Sequence, residues 1–465
     1  MNSITLTNGK LEISNPSAEV SAFIKSSLIY TDKSKKYQLR RMARNPWQRA
    51  SALYAKLQLE VEGVLYEENG GLLSLPSGFF PLFQSQFPVL PFEDKRVASG
   101  KKIVVPWVNK PHDLRPYQEE GIALILGQHH RGILNFAMGL GKTLTAIHTV
   151  QRFKKNTLII CPSDSIAKQF YDQCIDAFGK NKVGFFGGGK KQINEITIGI
   201  AASVTRNVEL FAKADFGLII FDEIHHIAAD TFFKIAQGLS AAEKIFGLTA
   251  TDYRSDGKDI MITAACGPVL IRREIKWGVE NKFLAEPYFI VREVDTGGKD
   301  FKDNKLKNYK EHVLNNQKMK DQIFNDAQKM INIGKSVLVL VDEIAHGEEL
   351  AKQLGVPFAK GTDADSQNYI TLLNRGKIPG LVGTSGKVGE GSDTKNVDVL
   401  ILADFTASKG PVIQAVGRGL RRQGTKTKCL ILDYIPSGSQ QLTRHAWGRV
   451  AFYREISDHV KVVSL

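Results

Sequence analysis

From His112 to Leu432 the chain alternates short apolar runs with longer stretches in which apolar residues return about once per helical turn. Ile133-Leu134-Asn135-Phe136, Thr157-Leu158-Ile159-Ile160 and Leu218-Ile219-Ile220-Phe221 are the clearest short runs. Each ends at a polar or Gly-rich turn, as strands buried on both faces do, and such strands alternating with helices predict a parallel sheet. A charged stretch, Gly297 to Asp321, interrupts the pattern and reads as a linker or an exposed helix. The alternation resumes at Val337 to Val341, Leu381-Val382-Gly383, Val399 to Leu402 and Leu430 to Leu432. The expected organisation is α/β, with parallel-sheet blocks over 109–285 and 286–465 behind a small α+β accessory region over 1–108.

Composition changes this picture in one respect. Hydrophobic residues make up 43% and charged residues 24% of the 465 positions, ordinary values that exclude a disordered chain, a collagen-like fibre and a disulfide-stapled scaffold. The charge is not ordinary: 62 Lys+Arg against 48 Asp+Glu gives +14, which favours a polyanionic partner, either nucleic acid or an acidic membrane surface. The four cysteines, Cys161, Cys174, Cys266 and Cys429, lie far apart without metal-ligand spacing and read as buried thiols of a reducing compartment. The first residues lack a basic region followed by an apolar one, and no apolar run approaches the ~18 residues that cross a bilayer. A soluble, cytoplasmic protein is expected.

Candidate chemistry begins after the first strand. Gly139-Leu140-Gly141-Lys142-Thr143 follows Phe136 and opens a helix, the setting in which glycines let backbone N–H groups curl round phosphates and the helix dipole adds to their field. Met138, Gly139, Leu140, Gly141, Lys142, Thr143 and Leu144 are the expected nucleotide-binding run, with Lys142 on the β/γ-phosphates and Thr143 on Mg. One departure stands out: Phe136 occupies the usual first glycine of G-x-x-x-x-G-K-T. Downstream, the strand Leu218 to Phe221 delivers Asp222-Glu223-Ile224-His225. Acids at a strand's carboxyl end suit Mg binding by Asp222 and polarisation of the attacking water by Glu223. The plainer readings, a Gly-rich turn and a capping pair of acids, lose ground because both half-sites occur in order. ATP and Mg are the expected cofactors.

Further motifs narrow the class. Gly247-Leu248-Thr249-Ala250-Thr251 follows the Asp-Glu-Ile-His box, and Gln414-Ala415-Val416-Gly417-Arg418-Gly419-Leu420-Arg421 lies near the end. With these the chain resembles the superfamily 2 DExH helicases over residues 112–435. The resemblance implies two tandem RecA-like domains, with Lys142, Asp222, Glu223, His225, Arg418 and Arg421 catalytic and the two arginines acting as fingers from the second domain. It places Arg115, Tyr117 and Gln118 in a Q-motif that reads adenine, and adds Gln414 and Asp393 to the nucleotide contacts. It assigns Pro162, Ser163, Ser203, Thr249, Thr251, Arg254, Thr384 and Ser385 to the nucleic-acid path. Gly334-Lys335-Ser336 and Asp342 to His346 mimic phosphate and acid motifs but lack the accompanying strand order or second half-site. His129, His130 and His226 read as structural or surface residues.

Gly247 to Asp256 and the glycine-rich Gly184 to Lys191 resemble XPB-like and UvsW-like DNA helicases, and the size and small N-terminal region look most like phage branch-migration helicases of the UvsW type. That implies a DNA translocase acting on forks, Holliday junctions and displacement loops in replication, recombination or repair, in a phage-infected cytoplasm. The alternatives are a duplex translocase without strand separation, a DExH RNA helicase, and a binding module with a dead ATP site. Substrate choice is expected in the N-terminal region, where Lys33, Lys35, Lys36, Arg40, Arg41, Arg44 and Arg49 surround Tyr37 and Trp47. Arg40, Arg41 and Arg44 are its candidate DNA contacts; the plainer reading is a solvated basic helix.

Overall fold

The computed structural model describes residues 3–464 except 228, 251–255, 303, 362–364, 386–387, 389–393, 395, 406–408 and 423–425, and the backbone alone at 226, 305 and 409–411. Within these, the chain divides into two compact units: Met1–Phe136 with Gly141–Arg272, and Ala137–Leu140 with Arg273–Leu465.

The first unit holds a five-stranded sheet in the order Glu67–Asn69, Leu72–Pro76, Lys10–Ser14, Ser3–Leu6, Glu93–Asp94. Ser3–Leu6 and Lys10–Ser14 alternate buried and exposed positions, so Ile4, Leu6, Leu11 and Ile13 share one face. That face does not make a private core. Val20 and Ile24 of the helix Ala18–Ser27, together with Phe79, Phe80 and Phe83, close it jointly with Ala229, Met261 and Ala264 from the helices of the larger sheet. Gly78 marks the seam: a Cβ there would come within 2.6 Å of the Ala264 carbonyl. A side excursion, the antiparallel pair Ile29–Thr31 and Glu62–Val64, carries the helices Lys33–Met42, Pro46–Arg49 and Ala52–Glu60. We call this excursion the arm.

The larger sheet has eight strands in the order Lys190–Lys191, Val183–Gly187, Ile196–Ile200, Thr157–Cys161, Leu218–Phe221, Lys244–Thr249, Arg131–Phe136, Val269–Arg273. The pairings from Val183–Gly187 through Arg131–Phe136 are all parallel. The apolar runs named from sequence are its central, wholly buried strands. Leu218–Phe221 and Arg131–Phe136 both pair with Lys244–Thr249, which therefore stands between them.

The second unit has seven strands in the order Phe358–Ala359, Gly380–Thr384, Val337–Val341, Val399–Ala403, Lys428–Pro436, Glu286–Val294, Val460–Ser464, each pairing parallel. The charged stretch after residue 297 departs from expectation here. It forms the helix Lys305–Tyr309, a wide helical turn over Lys310–Leu314 and the start of the helix Gln317–Asn332. Asn308, His312, Val313 and Met319 within it are fully buried. His312 is held by Thr296 Oγ1 at 3.0 Å and the Lys299 carbonyl at 3.2 Å. Lys299, Lys302, Lys307, Lys310 and Lys318 are exposed while a sparse inward set docks the segment, and total charge conceals such a set.

Candidate nucleotide site and nucleic-acid interface

Gly139 and Gly141 have φ of +85° and +80°, the left-handed conformation that lets the chain curl between strand and helix. At Gly141 a Cβ would also lie 2.3 Å from Gln118 Nε2 and displace that amide from the loop. Phe136, the departure from the motif, ends the strand outside the positive-φ positions, so no glycine is required there. Its ring is fully buried and meets Tyr117 edge to face at 5.4 Å. The helix Lys142–Phe153 starts at the next turn.

Lys142 is 7% exposed and donates to the Phe136 carbonyl at 3.2 Å, while its ammonium lies 3.1 Å from Glu223 Oε1. Because the strand feeding each residue flanks Lys244–Thr249, the lysine and the acid meet across that strand's end. Glu223 adopts φ +44°, ψ +52°, a left-handed conformation that a non-glycine residue holds only when its surroundings enforce it. Beside it, Asp222 has a buried Oδ1 with no hydrogen-bond partner. Burial, reinforced by the charge of Glu223, pushes the Asp222 carboxyl up to about 7 against the opposing pull of Lys142. An orphaned carboxylate oxygen next to a phosphate-loop lysine fits a divalent cation. Thr143, whose hydroxyl has no partner among the described residues, fits as the second ligand. Such an ion would neutralise charge on the phosphates and hold Asp222 ionised.

The DExH turn is tied to the strand between. His225 Nδ1 lies 2.9 Å from Thr249 Oγ1, and the Ala250 N–H donates to Glu223 Oε2 at 3.4 Å. Thr249 is fully buried. Expected on the nucleic-acid path, its hydroxyl here joins two motifs by meeting the His225 ring. Ala250 was not singled out from sequence, because a backbone donor leaves no mark on residue type. Gln118 uses its Oε1 to accept from the Arg115 N–H at 2.8 Å and its Nε2 to donate to the Gly141 carbonyl at 3.3 Å. Arg115 in turn reaches the Tyr117 hydroxyl at 3.3 Å. The Q-motif thus caps its own helix and braces the phosphate loop. Met138 and Leu140 are buried, and Leu144 is half-buried on the helix.

Pro162 and Ser163 follow the strand Thr157–Cys161, and Ser203 sits on the helix after Ile196–Ile200. All three are half-buried at the carboxyl edge of the sheet. In the second unit, Thr384 ends its strand, and Ser385 donates to Asp404 Oδ2 at 2.8 Å. Asp404 was missed, although an acid closing a buried strand is the same signal that found Asp222. Gln414 and Arg418 lie on the helix Lys409–Gly419, both buried. Arg421 bridges to Leu284, and desolvation pulls its guanidinium down to about 10. Thr251, Arg254 and Asp393 lie outside the described residues.

The arm is built by caps. Asp32, Asn45 and Ser51 accept from Lys35, Trp47 and Tyr54 N–H groups at the starts of its three helices. Lys35 and Glu60 join the first helix to the third at 2.6 Å. Arg40, Arg41 and Arg44 are exposed, and their side chains make no hydrogen bond or ion pair among the described residues. Tyr37, before them, is 71% exposed and Trp47, after them, 89%.

The family described as the Type III restriction enzyme res subunit matches residues 111–254. A Rad25-type DNA 3'-5' helicase of Halobacterium salinarum is 26% identical over 73% of this chain and 56% of its own length. The DNA 3'-5' translocase XPB2 of Sulfurisphaera tokodaii is 25% identical over 75% of this chain and 88% of its own. The chain spans little more than half the length of the first relatives it matches. Among solved structures, T4 UvsW is 18% identical and covers 99% of both chains at a TM-score of 0.44. The Type ISP restriction-modification enzyme LlaBIII, solved bound to DNA, is 15% identical over 77% of this chain and 32% of its own, at 0.57. That last likeness shows the fold, two tandem RecA-like sheets.

Proposed function

We propose, from the premise that the chain belongs to superfamily 2 of the helicases in the XPB-like and UvsW-like group, that it is an ATP-driven DNA motor that unwinds or branch-migrates forks, Holliday junctions and displacement loops. The observation that carries this reading is the buried cluster of Lys142, Asp222 and Glu223 at the carboxyl ends of two strands that flank Lys244–Thr249, with Glu223 strained and the Asp222 Oδ1 lacking a hydrogen-bond partner. Lys142 would leave Glu223 for the phosphates, freeing that carboxylate to orient water. Asp222 and Thr143 would hold Mg. Arg418 and Arg421 would neutralise the transferred phosphoryl group. Pro162, Ser163, Ser203, Thr384 and Ser385 would hold the strand's phosphates. The arm, through Arg40, Arg41 and Arg44 with Trp47 and Tyr37, would engage duplex next to the branch. The net charge of +14 supports a polyanionic track.

A second reading, duplex translocation without strand separation, is favoured by the restriction-subunit match over 111–254 and by the relative named a translocase. One experiment separates the two. ATPase rate is measured without nucleic acid and with single-stranded DNA, plain duplex, a forked or four-way junction and an RNA duplex, with Glu223→Gln as the inactive control. Selective stimulation by branched DNA with release of its arms supports the first reading. Equal stimulation by plain duplex with no release supports the second. Stimulation by RNA alone overturns the DNA assignment, and no hydrolysis under any condition overturns the motor.

A further inference from the structure

A buried lysine, Lys258, ties the arm to the rest of the first unit. Lys258 is 6% exposed and stands between two carboxylates, Asp32 Oδ2 at 3.0 Å and Asp230 Oδ2 at 2.7 Å, with its ammonium 5.6 Å from the Tyr30 ring. These partners come from distant parts of the chain. Tyr30 and Asp32 form the base of the arm, and Asp32 is also the N-cap of its first helix. Asp230 lies in the first turn of the helix Ala229–Gly238, shortly after the DExH turn. Lys258 itself follows the strand that ends at Thr249.

The backbone reinforces the joint. The Lys33 N–H donates to the Asp256 carbonyl at 3.0 Å, and Gly257, at φ +78°, allows an approach in which a Cβ would sit 2.8 Å from the Thr31 carbonyl. Burial raises Asp32, but the Lys35 N–H and the Lys258 ammonium outweigh it and hold the carboxyl below its ordinary range. Burial likewise pulls Lys258 down, and its two acids more than reverse this. Asp32 and Lys258 therefore stand as a charged pair, with the Asp230 carboxylate on the other side of the ammonium. If the joint needed stability alone, apolar packing would serve as well; an ion triad fixes one arrangement of its three elements.

The two motor stretches that Lys258 grips are those that hold the hydrolysis site, since Glu223 is bonded by Ala250 and His225 by Thr249. We propose that Lys258 is a positioning residue that couples DNA held on the arm to ATP hydrolysis, by tying the arm's first helix to the stretches that follow the DExH turn and the Thr249 strand. This rests on the reading of the arm as a DNA contact.

The test uses the full chain and three readouts: kcat with and without saturating forked duplex, fork affinity by fluorescence anisotropy, and melting temperature. Asp32→Asn keeps the helix cap, because an asparagine oxygen accepts the same N–H, but removes the ion pair. Its DNA-stimulated kcat is expected to fall about five-fold or more, the low end of measured couplings between sites, with basal kcat and fork affinity unchanged. Lys258→Met should give the same loss, Lys258→Arg should restore most of it, and the Asp32→Asn/Lys258→Met double variant should lose no more than either alone. Should Lys258→Met fail to fold, Asp32→Asn and the exposed Asp230→Asn decide. An unchanged stimulated rate in folded variants overturns the coupling, as does a parallel fall of basal and stimulated rates, which marks a purely structural bolt. A wild-type enzyme that no DNA stimulates overturns the underlying reading and the coupling with it. Stimulation that survives in the wild type and is unaltered in Asp32→Asn removes the coupling alone.

Discussion

The first unit carries two basic sites made in opposite ways. Lys142 is buried, paired with Glu223 and bonded to a carbonyl, so its ammonium is held at a fixed place. Arg40, Arg41 and Arg44 are exposed and unpaired among the described residues, on short helices held together by caps and one ion pair. The difference is one of dielectric. A charge in a dry site acts strongly on one partner at fixed geometry, whereas exposed charges act weakly, additively and in a salt-dependent way on a long polyanion. On the proposed function, hydrolysis uses the first arrangement and the hold on a moving track uses the second.

The sharpest way to break the comparison is at the dry site. Glu223→Gln should lower kcat for ATP by about 10²–10⁴-fold, the span of a lost general base, while leaving DNA binding intact in an anisotropy titration. At the wet site, replacing Arg40, Arg41 and Arg44 together by Gln should weaken fork binding and leave basal hydrolysis unchanged. Each lost phosphate contact should take about 0.9 from the slope of log affinity against log salt. A steep slope that persists in the triple variant would mean that the arm does not touch phosphate.

Two smaller effects sharpen the dry site further. Asp222 is raised to about 7 in the folded chain from 3.8, so the native state holds an extra proton between these values and loses stability as pH rises through them. The cost is complete above about 7 and absent below about 4. Asp222→Asn should therefore melt higher than wild type at pH 8 without Mg, the gain fading as pH approaches 4, while hydrolysis is lost. A lower melting temperature at pH 8 would contradict the assignment. Thr249→Val keeps the shape of the buried side chain and removes its bond to His225. A loss of about 1 kcal/mol in denaturant unfolding is expected. Hydrolysis should drop only modestly.

Much of the fold was legible in residue order. Doubly buried strands are short and apolar, and Ile133–Phe136, Thr157–Ile160 and Leu218–Phe221 announced themselves on that ground alone. So did Gly139, Gly141 and Lys142, because glycines that must adopt positive φ next to a lysine leave a pattern in residue type. The stretch from Gly297 to Asp321 misled because a few inward residues, Asn308, Tyr309, His312, Val313 and Met319 among the described ones, dock it among exposed lysines, and composition averages the two. The N-terminal region read as separate, yet Ile4, Leu11 and Phe79 share a core with Met261 and Ala264. Contacts across so long a sequence gap have no local signature.

By itself the sequence determined the tandem α/β architecture, the phosphate loop and its acids, since periodicity and backbone freedom are properties of neighbouring residues. Only the tertiary structure decided which groups face one another. It placed the strand ending at Thr249 between the lysine and acid strands, turned the Thr249 hydroxyl inward to His225, and buried Lys258 between Asp32 and Asp230. Strand order and ion pairing are set by packing across the whole unit, where the free energy of one side chain depends on partners more than a hundred residues away.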